Sequence, residues 1–446
     1  MQARIYSALL SLALTALVVH AQAQPVAVVG AVPKADSSDL IERTFDQVWR
    51  TVKDKHFDPT FGGVNWDQVR VRYAARLAKI KTEAELYPLL QQMLGELHQS
   101  HFQVISPDAV VSDDEVPRGT ATTGIELQII GTQAVISAVE PNSSAVHTGL
   151  RPGFVITKAG ENTVAELARK LAPSTETAAI KRLRLERMVL ARLKGEAGKS
   201  VTVQYLDGHL RTQTAQLALQ PYQGEWSAAF GNFGPQPMRF DSKRLANGVG
   251  YLKFNIWVTP MMAKLRAALK DFEGVPGLII DLRGNPGGIG GMANGLSGYL
   301  FDEDASLGTM QMRGTVQKFI VTPQRNAPTP IYHGPLVILQ NYGSASTSEV
   351  FAAGLQDLRR AVVIGERSAG AALPSLIEKL PTGGLFQYAV GDFKTSKGTL
   401  IEGRGVIPNV VAPPTRAALL AGRDLALEAA LRQIASLPKV RAAVKK

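Results

Sequence analysis

The 446-residue chain contains no cysteine. This excludes disulfide staples, a thiol nucleophile and any thiolate metal site, and it leaves stability to buried apolar cores. Histidines number only seven, and no pair of them has metal-ligand spacing with a carboxylate partner. No metal or other cofactor is therefore expected. Fixed-period repeats and low-complexity tracts are also lacking. Long apolar runs are missing everywhere except near the N-terminus.

That one run lies in MQARIYSALLSLALTALVVHAQAQP, where a single arginine precedes apolar residues from Ala8 to Val19 and small residues stand at Ala21 and Ala23. This is the pattern of a secretory signal peptide over residues 1–23, with the mature chain starting at Gln24. The run is short for a bilayer span. The expectation is export across the inner membrane to the periplasm, with no stable membrane span after processing. A net charge of +11 could point to nucleic acid, but the basic residues are scattered and do not cluster with aromatics. A solvated basic surface is the expected reading, with no nucleic-acid partner.

Hydrophobic content of 45% is that of a globular protein, and the length accommodates two or three cores. Ile41, Phe45, Val48 and Val52, then Leu86, Leu90, Met93 and Leu97, recur at the helical period, which predicts a helical cap over residues 37–117. Residues 118–222 carry short alternating runs such as IELQII and VTVQYL, and a charged helical insertion lies near Thr177 to Leu193. From about residue 240 to 435, β-branched runs alternate with helical patterns, which predicts buried, mainly parallel strands in an α/β layer.

Chemistry is expected at two strand ends. DLRGNPGG, Asp281 to Gly288, has glycines that let backbone amides face an anion, although such turns often only turn or bind phosphate. In QNYGSASTSEV a turn at Gly343 brings Ser346 to the start of a helix, whose terminal amides would stabilise developing negative charge. The ordinary use of Ser344, Ser346 or Ser348 there is as an N-cap. Residue chemistry alone leaves the two uses open.

The order of motifs narrows the choice. DLRGNPGG, GSASTSEVFAAGLQD, RAVVIGERSAG and EGRGVIPN resemble the successive core motifs of the C-terminal processing (tail-specific) serine proteases. VWRTVKDKHFDP and WDQV are similar to the family's N-terminal region, and residues 118–222 to its PDZ domain. The resemblance implies an α/β fold: a ClpP/crotonase-like core with an N-terminal helical cap and an inserted PDZ-like domain. It implies Ser346 as nucleophile and an oxyanion hole made by an amide of Gly287 or Gly288 together with that of Thr347, the choice of glycine staying open.

One departure matters. The better-known members place a lysine base 25 residues after the serine, and here that position is Ala371. Arg367 cannot replace it, because guanidinium stays protonated. The sequence resembles more closely the tricorn-like branch, in which a Ser-His pair and a glutamate replace the lysine; Ser100, His101 and Glu402 match those motifs. His101 would be the base, Glu402 would orient its other ring nitrogen, and His98 is the rival base. The loop GIEL, with Gly124, Ile125, Glu126 and Leu127, would hold a peptide's terminal carboxylate, although Phe154 stands where the family usually has aspartate. The expected function is an exported serine endopeptidase acting on polypeptide substrates. The rival readings are a catalytically inactive PDZ-type scaffold and, on the related crotonase core, an acyl-CoA enzyme, which export disfavours. Oligomeric state is not legible.

Overall fold

Four strands, Gly250–Phe254, Leu278–Asp281, Leu336–Gln340 and Val362–Gly365, pair in parallel and in that order. Phe240–Arg244 adds antiparallel at one edge, and Val410–Val411 adds in parallel at the other. These strands read as continuous apolar runs because both faces are covered. Leu278, Ile280 and Ile338 face the helices Thr259–Asp271 and Thr347–Asp357, whereas Ile279, Val337 and Leu339 face the helix Leu425–Ser436. The computed structural model describes residues 37–107 and 120–436, apart from residues 173, 175, 231 and 233. The expected signal peptide lies outside them. None of the described helices is long and apolar enough to cross a membrane.

The cap consists of three helices, Ser37–Lys55, Trp66–Leu77 and Glu83–Gly95. Phe45, Val48, Val52, Leu86, Leu90 and Met93, the periodic positions of the sequence, form its core. That core does not close on itself. It takes in Leu373, Phe386 and Tyr388, and the strand Gln103–Ile105 pairs antiparallel with residues 385–387. The segment bearing Ser100 and His101 is thereby stitched to the C-terminal part of the chain. The α/β pattern had passed over this hairpin, Ser375–Lys379 with Leu385–Ala389, and a second sheet formed by Ala305–Met312, Thr315–Val321 and Gly391–Thr395.

Between cap and α/β layer lies an antiparallel module whose main strands run in the order Ile125–Ile130, Gln133–Val139, Val155–Ala159, Ser200–Leu206 and Thr212–Ala218. The first strand is an edge. Helices Val164–Leu171 and Ala178–Ala191 pack on this sheet, and the second is the charged insertion read from the sequence. Leu127, Ile136, Leu167 and Val203 fill its interior, and the same apolar cluster runs on into Tyr342, Ala345, Ala369 and Ala371 of the α/β layer.

Candidate active site

Ser346 sits where the buried strand Leu336–Gln340 turns into the helix Thr347–Asp357, for which it is the N-cap residue. Its backbone has φ 53° and ψ −120°, a region that costs a non-glycine residue about 1–3 kcal/mol. The strain persists because two turns are bolted together. Asn341 Oδ1 accepts from Gly284 N at 2.9 Å, and Ala345 N donates to Asn285 O at 3.1 Å. Thr347 Oγ1 donates to Gly288 O at 2.9 Å. The neighbouring serines are committed elsewhere. Ser344 Oγ donates to Leu282 O at 2.8 Å, and Ser348 Oγ donates to Asn285 O at 3.0 Å while accepting from Trp257 Nε1 at 2.9 Å. Both are buried, whereas Ser346 remains partly open.

The glycine turn faces this elbow. A side chain at Gly287 would come within 2.7 Å of Ser346 Cβ and 2.9 Å of Thr347 N. Gly287 N donates to Asn285 Oδ1 at 3.0 Å. Among the described residues neither Gly288 N nor Thr347 N carries a hydrogen bond. Two free amides thus stand near the serine, and the amide of Gly287 is not one of them.

His101 lies in a loop where its backbone φ is 61°. Ser100 Oγ is 2.7 Å from His101 Nδ1 and donates to Glu402 Oε2 at 2.9 Å. Glu402 also accepts from Ser100 N at 2.8 Å and from Ala372 N at 2.9 Å. The expected direct contact between Glu402 and the ring is therefore corrected: the carboxylate reaches His101 through the Ser100 hydroxyl. Since that hydroxyl gives its proton to Glu402, the network assigns the ring proton to Nδ1 and leaves Nε2 as an acceptor. Among the described residues no hydrogen bond joins Ser346 Oγ to the ring. His98, the rival, is exposed.

A residue the sequence reading passed over ties these parts together. Glu349, fully buried, accepts from Ser368 Oγ at 2.5 Å, Gly370 N at 2.8 Å, Ala371 N at 2.9 Å and Ser346 N at 3.1 Å. Ser346 N also donates to Ala371 O at 2.8 Å. The strap 368–372, where a lysine would have stood, is held by Glu349 on one side and by Glu402 on the other. Burial pushes the Glu349 carboxyl up to about 7, against the pull of its hydrogen-bond donors. Its signal was present in the sequence as S-x-x-E at a helix start.

The profile of peptidase family S41 matches residues 248–412, and that of the tricorn protease C1 domain matches residues 41–95. The chain is a serine-type peptidase, and its residues 248–412 are similar to peptidase family S41. A carboxyl-terminal-processing protease of Synechocystis sp. is 26% identical over 388 residues, covering 86% of this chain and 83% of the relative. The photosystem II D1 C-terminal processing protease, 24% identical, superposes with a TM-score of 0.57 over 90% of this chain and 98% of its own. Mature CPAF, 16% identical, has a TM-score of 0.62 over 90% of this chain and 100% of its own. The S41 fold of these structures is shared.

In this serine-type peptidase the antiparallel module reaches the elbow. Ile129, on the edge strand, donates its N–H to Tyr342 Oη at 2.6 Å, and its carbonyl accepts from Arg182 Nη2 at 2.6 Å. The Arg182 guanidinium stacks 4.0 Å over the Tyr342 ring and pairs with Glu366 at 3.0 Å, while Glu186 accepts the Tyr342 hydroxyl. A cavity of about 1080 Å³ separates module from core; Ile125, Glu126 and Leu127 line it, and Glu126 pairs with Arg239 at 2.7 Å. Gly124, at φ 79°, leaves no room for a side chain, which would meet Ser143 Cβ at 2.2 Å. Burial, with the nearby charge of Arg187 as a second cause, lowers His101 to about 4. Burial likewise raises the Glu402 carboxyl against the donors around it. None of Arg182, Glu186 and Arg187 had been singled out, because a charged helix in a sequence reads as a solvated face.

Proposed function

We propose that this serine peptidase is an exported, tail-recruiting endopeptidase of the Ser/His/Glu type, with Ser346 as nucleophile and His101 as base. The observation that carries this reading is the chain Ser100–His101–Glu402 anchored to the strap that receives Ser346 N, at the position where a lysine is missing. His101 Nε2 takes the proton as Ser346 Oγ attacks the scissile carbonyl. Gly288 N and Thr347 N, at a helix N-terminus, receive the oxyanion. Glu402, through Ser100, stabilises the imidazolium, which then protonates the leaving amine; water completes the cycle by the same route. A fluorophosphonate probe tests this: it should label Ser346 and lose its target in Ser346→Ala. An unlabelled wild-type protein would point to the inactive scaffold instead.

The edge strand Ile125–Ile130 behind Gly124 supports recruitment of an extended C-terminal tail as an added strand. Peptides with a free apolar C-terminus should be cut faster than their amidated forms. Equal rates would remove tail recruitment and leave the peptidase reading standing. The N-terminal pattern supports export to the periplasm, and N-terminal sequencing of secreted protein should find Gln24 first.

A further inference from the structure

His56 follows directly on the cap helix Ser37–Lys55 and is completely buried. Gln99 Oε1, which can only accept, lies 2.9 Å from its Nε2, so the network places the ring proton there. Nδ1, beside Asp58 O at 2.8 Å, accepts from Asp58 N at 3.0 Å. Burial holds the ring below the ordinary histidine value, against the pull of Gln99 and Asp58, so it is neutral at neutral pH. One face of the ring also stacks on Phe102, with centroids 5.3 Å apart and planes 10° from parallel. His56 therefore grips residues 99 and 102, the immediate neighbours of the Ser100–His101 pair.

The gripped loop is strained. His98 has φ 53° and His101 φ 61°, left-handed conformations that a side chain keeps only where its surroundings over-determine them. Downstream of His101 three holds act together. Gln91, on the helix Glu83–Gly95, donates to Phe102 O and accepts from Val104 N, both at 3.2 Å; His56 stacks on Phe102; and residues 103–105 pair with 385–387. Upstream, Gln99 on His56 is the corresponding side-chain hold. A reacting group misplaced by about 1 Å can lose on the order of 100-fold in rate, so what fixes this loop bears on the chemistry.

We propose that His56 is a positioning residue for peptide hydrolysis: by holding Gln99 and Phe102 it keeps the Ser100–His101 pair aligned with Glu402. This rests on the assignment of His101 as base. Being wholly buried, His56 touches no substrate and acts through the loop alone. The helical cap thereby contributes to the reaction, although none of its three helices carries a reacting group.

The test uses the whole mature protein and one internally quenched peptide. His56→Phe keeps a ring to stack on Phe57 and Phe102 but removes both nitrogens, and Gln99→Met removes the acceptor. Each should lower kcat and the rate of fluorophosphonate labelling by roughly 10- to 100-fold, with KM unchanged within about twofold. The double variant should be no more than about threefold worse than the poorer single change, because both break one hydrogen bond. His56→Gln, whose amide N–H can stand in for Nε2–H, should recover part of the rate lost in His56→Phe. Introduced into His101→Ala, Gln99→Met should slow the residual rate by less than about threefold, since it acts through that ring. Titration of active sites with the probe counts the folded fraction. Should His56→Phe not fold, Gln99→Met, at a half-buried loop residue, carries the test. Wild-type kcat in folded His56→Phe or Gln99→Met overturns the proposal, as does a Gln99→Met loss that multiplies with that of His101→Ala. A fully active His101→Ala, or a wild-type protein that the fluorophosphonate leaves unlabelled, is a separate result: it removes the active-site assignment and this proposal with it.

Discussion

Replacing Ser100 with alanine takes one hydroxyl out of a chain that runs from Glu402 Oε2 through Ser100 Oγ, at 2.9 Å, to His101 Nδ1, at 2.7 Å. The ring then faces a gap, and nothing fixes the Nδ1–H tautomer or carries the carboxylate's charge to the imidazolium. A hydrogen bond involving a charged group is worth about 1.5–3 kcal/mol, so kcat should fall by roughly 15- to 150-fold. Glu402→Gln keeps an oxygen for Ser100 Oγ and Ala372 N but removes the charge, and its loss should be of the same order. The informative measurement is the double variant. If Glu402 acts only through Ser100, then Ser100→Ala with Glu402→Gln should be no more than about threefold worse than the more damaging single change, because both break one path. Steady-state hydrolysis of an internally quenched peptide, with the rate of fluorophosphonate labelling measured alongside, gives the cycle. Losses that multiply, toward roughly 200- to 20,000-fold in the double variant, would mean that Glu402 reaches the site by a second route and would refute the relay.

Ser346→Ala should abolish turnover and labelling; Ser344→Ala and Ser348→Ala should each cost about 1–3 kcal/mol of stability, read by denaturant melts, yet still be labelled, because their hydroxyls only satisfy buried partners. Gly288→Ala should fail to fold or lose its activity, since the new side chain would sit 2.2 Å from Trp257 O; a fully active variant would show that this turn does not approach the site. His101, at about 4 when folded against 6.5 as its ordinary value, binds its proton less readily in the fold. Its contribution to stability is therefore full above pH 6.5 and is lost as pH falls toward 4, so the stability difference between wild type and His101→Gln should shift against wild type across that window. The acid limb of kcat/KM should likewise lie below the usual histidine range, and a limb near the lysine range would exclude His101 as base.

Much of this protein was legible along the chain. Helix periods named Phe45, Val48, Leu86 and Leu90 as cap core, and unbroken apolar runs named Leu278–Asp281 and Leu336–Gln340 as strands buried on both faces. The chemistry of Gly343 and Ser346 at a strand-to-helix turn, and the absence of lysine at 371, were also written locally. These features depend on neighbours within one turn or one strand, so residue type and spacing determine them.

Tertiary structure alone decided what meets across the fold. Ser100 and Glu402 are 302 positions apart, and nothing in either segment says that a hydroxyl stands between carboxylate and imidazole. Asn285 Oδ1 takes up the amide of Gly287 at 3.0 Å, which no spacing along the glycine turn foretells. Glu349 reads as a helix cap, but the strap 368–371 folds back over it and makes it the buried anchor of the site. The insertion helix reads as solvated, yet one continuous apolar cluster joins its Leu183, Leu185 and Val189 to Tyr342, Ala345 and Ala371 around the serine. Local spacing sets which conformation a segment prefers, whereas contacts between distant segments depend on which apolar faces bury together, and that information resides in the packed whole.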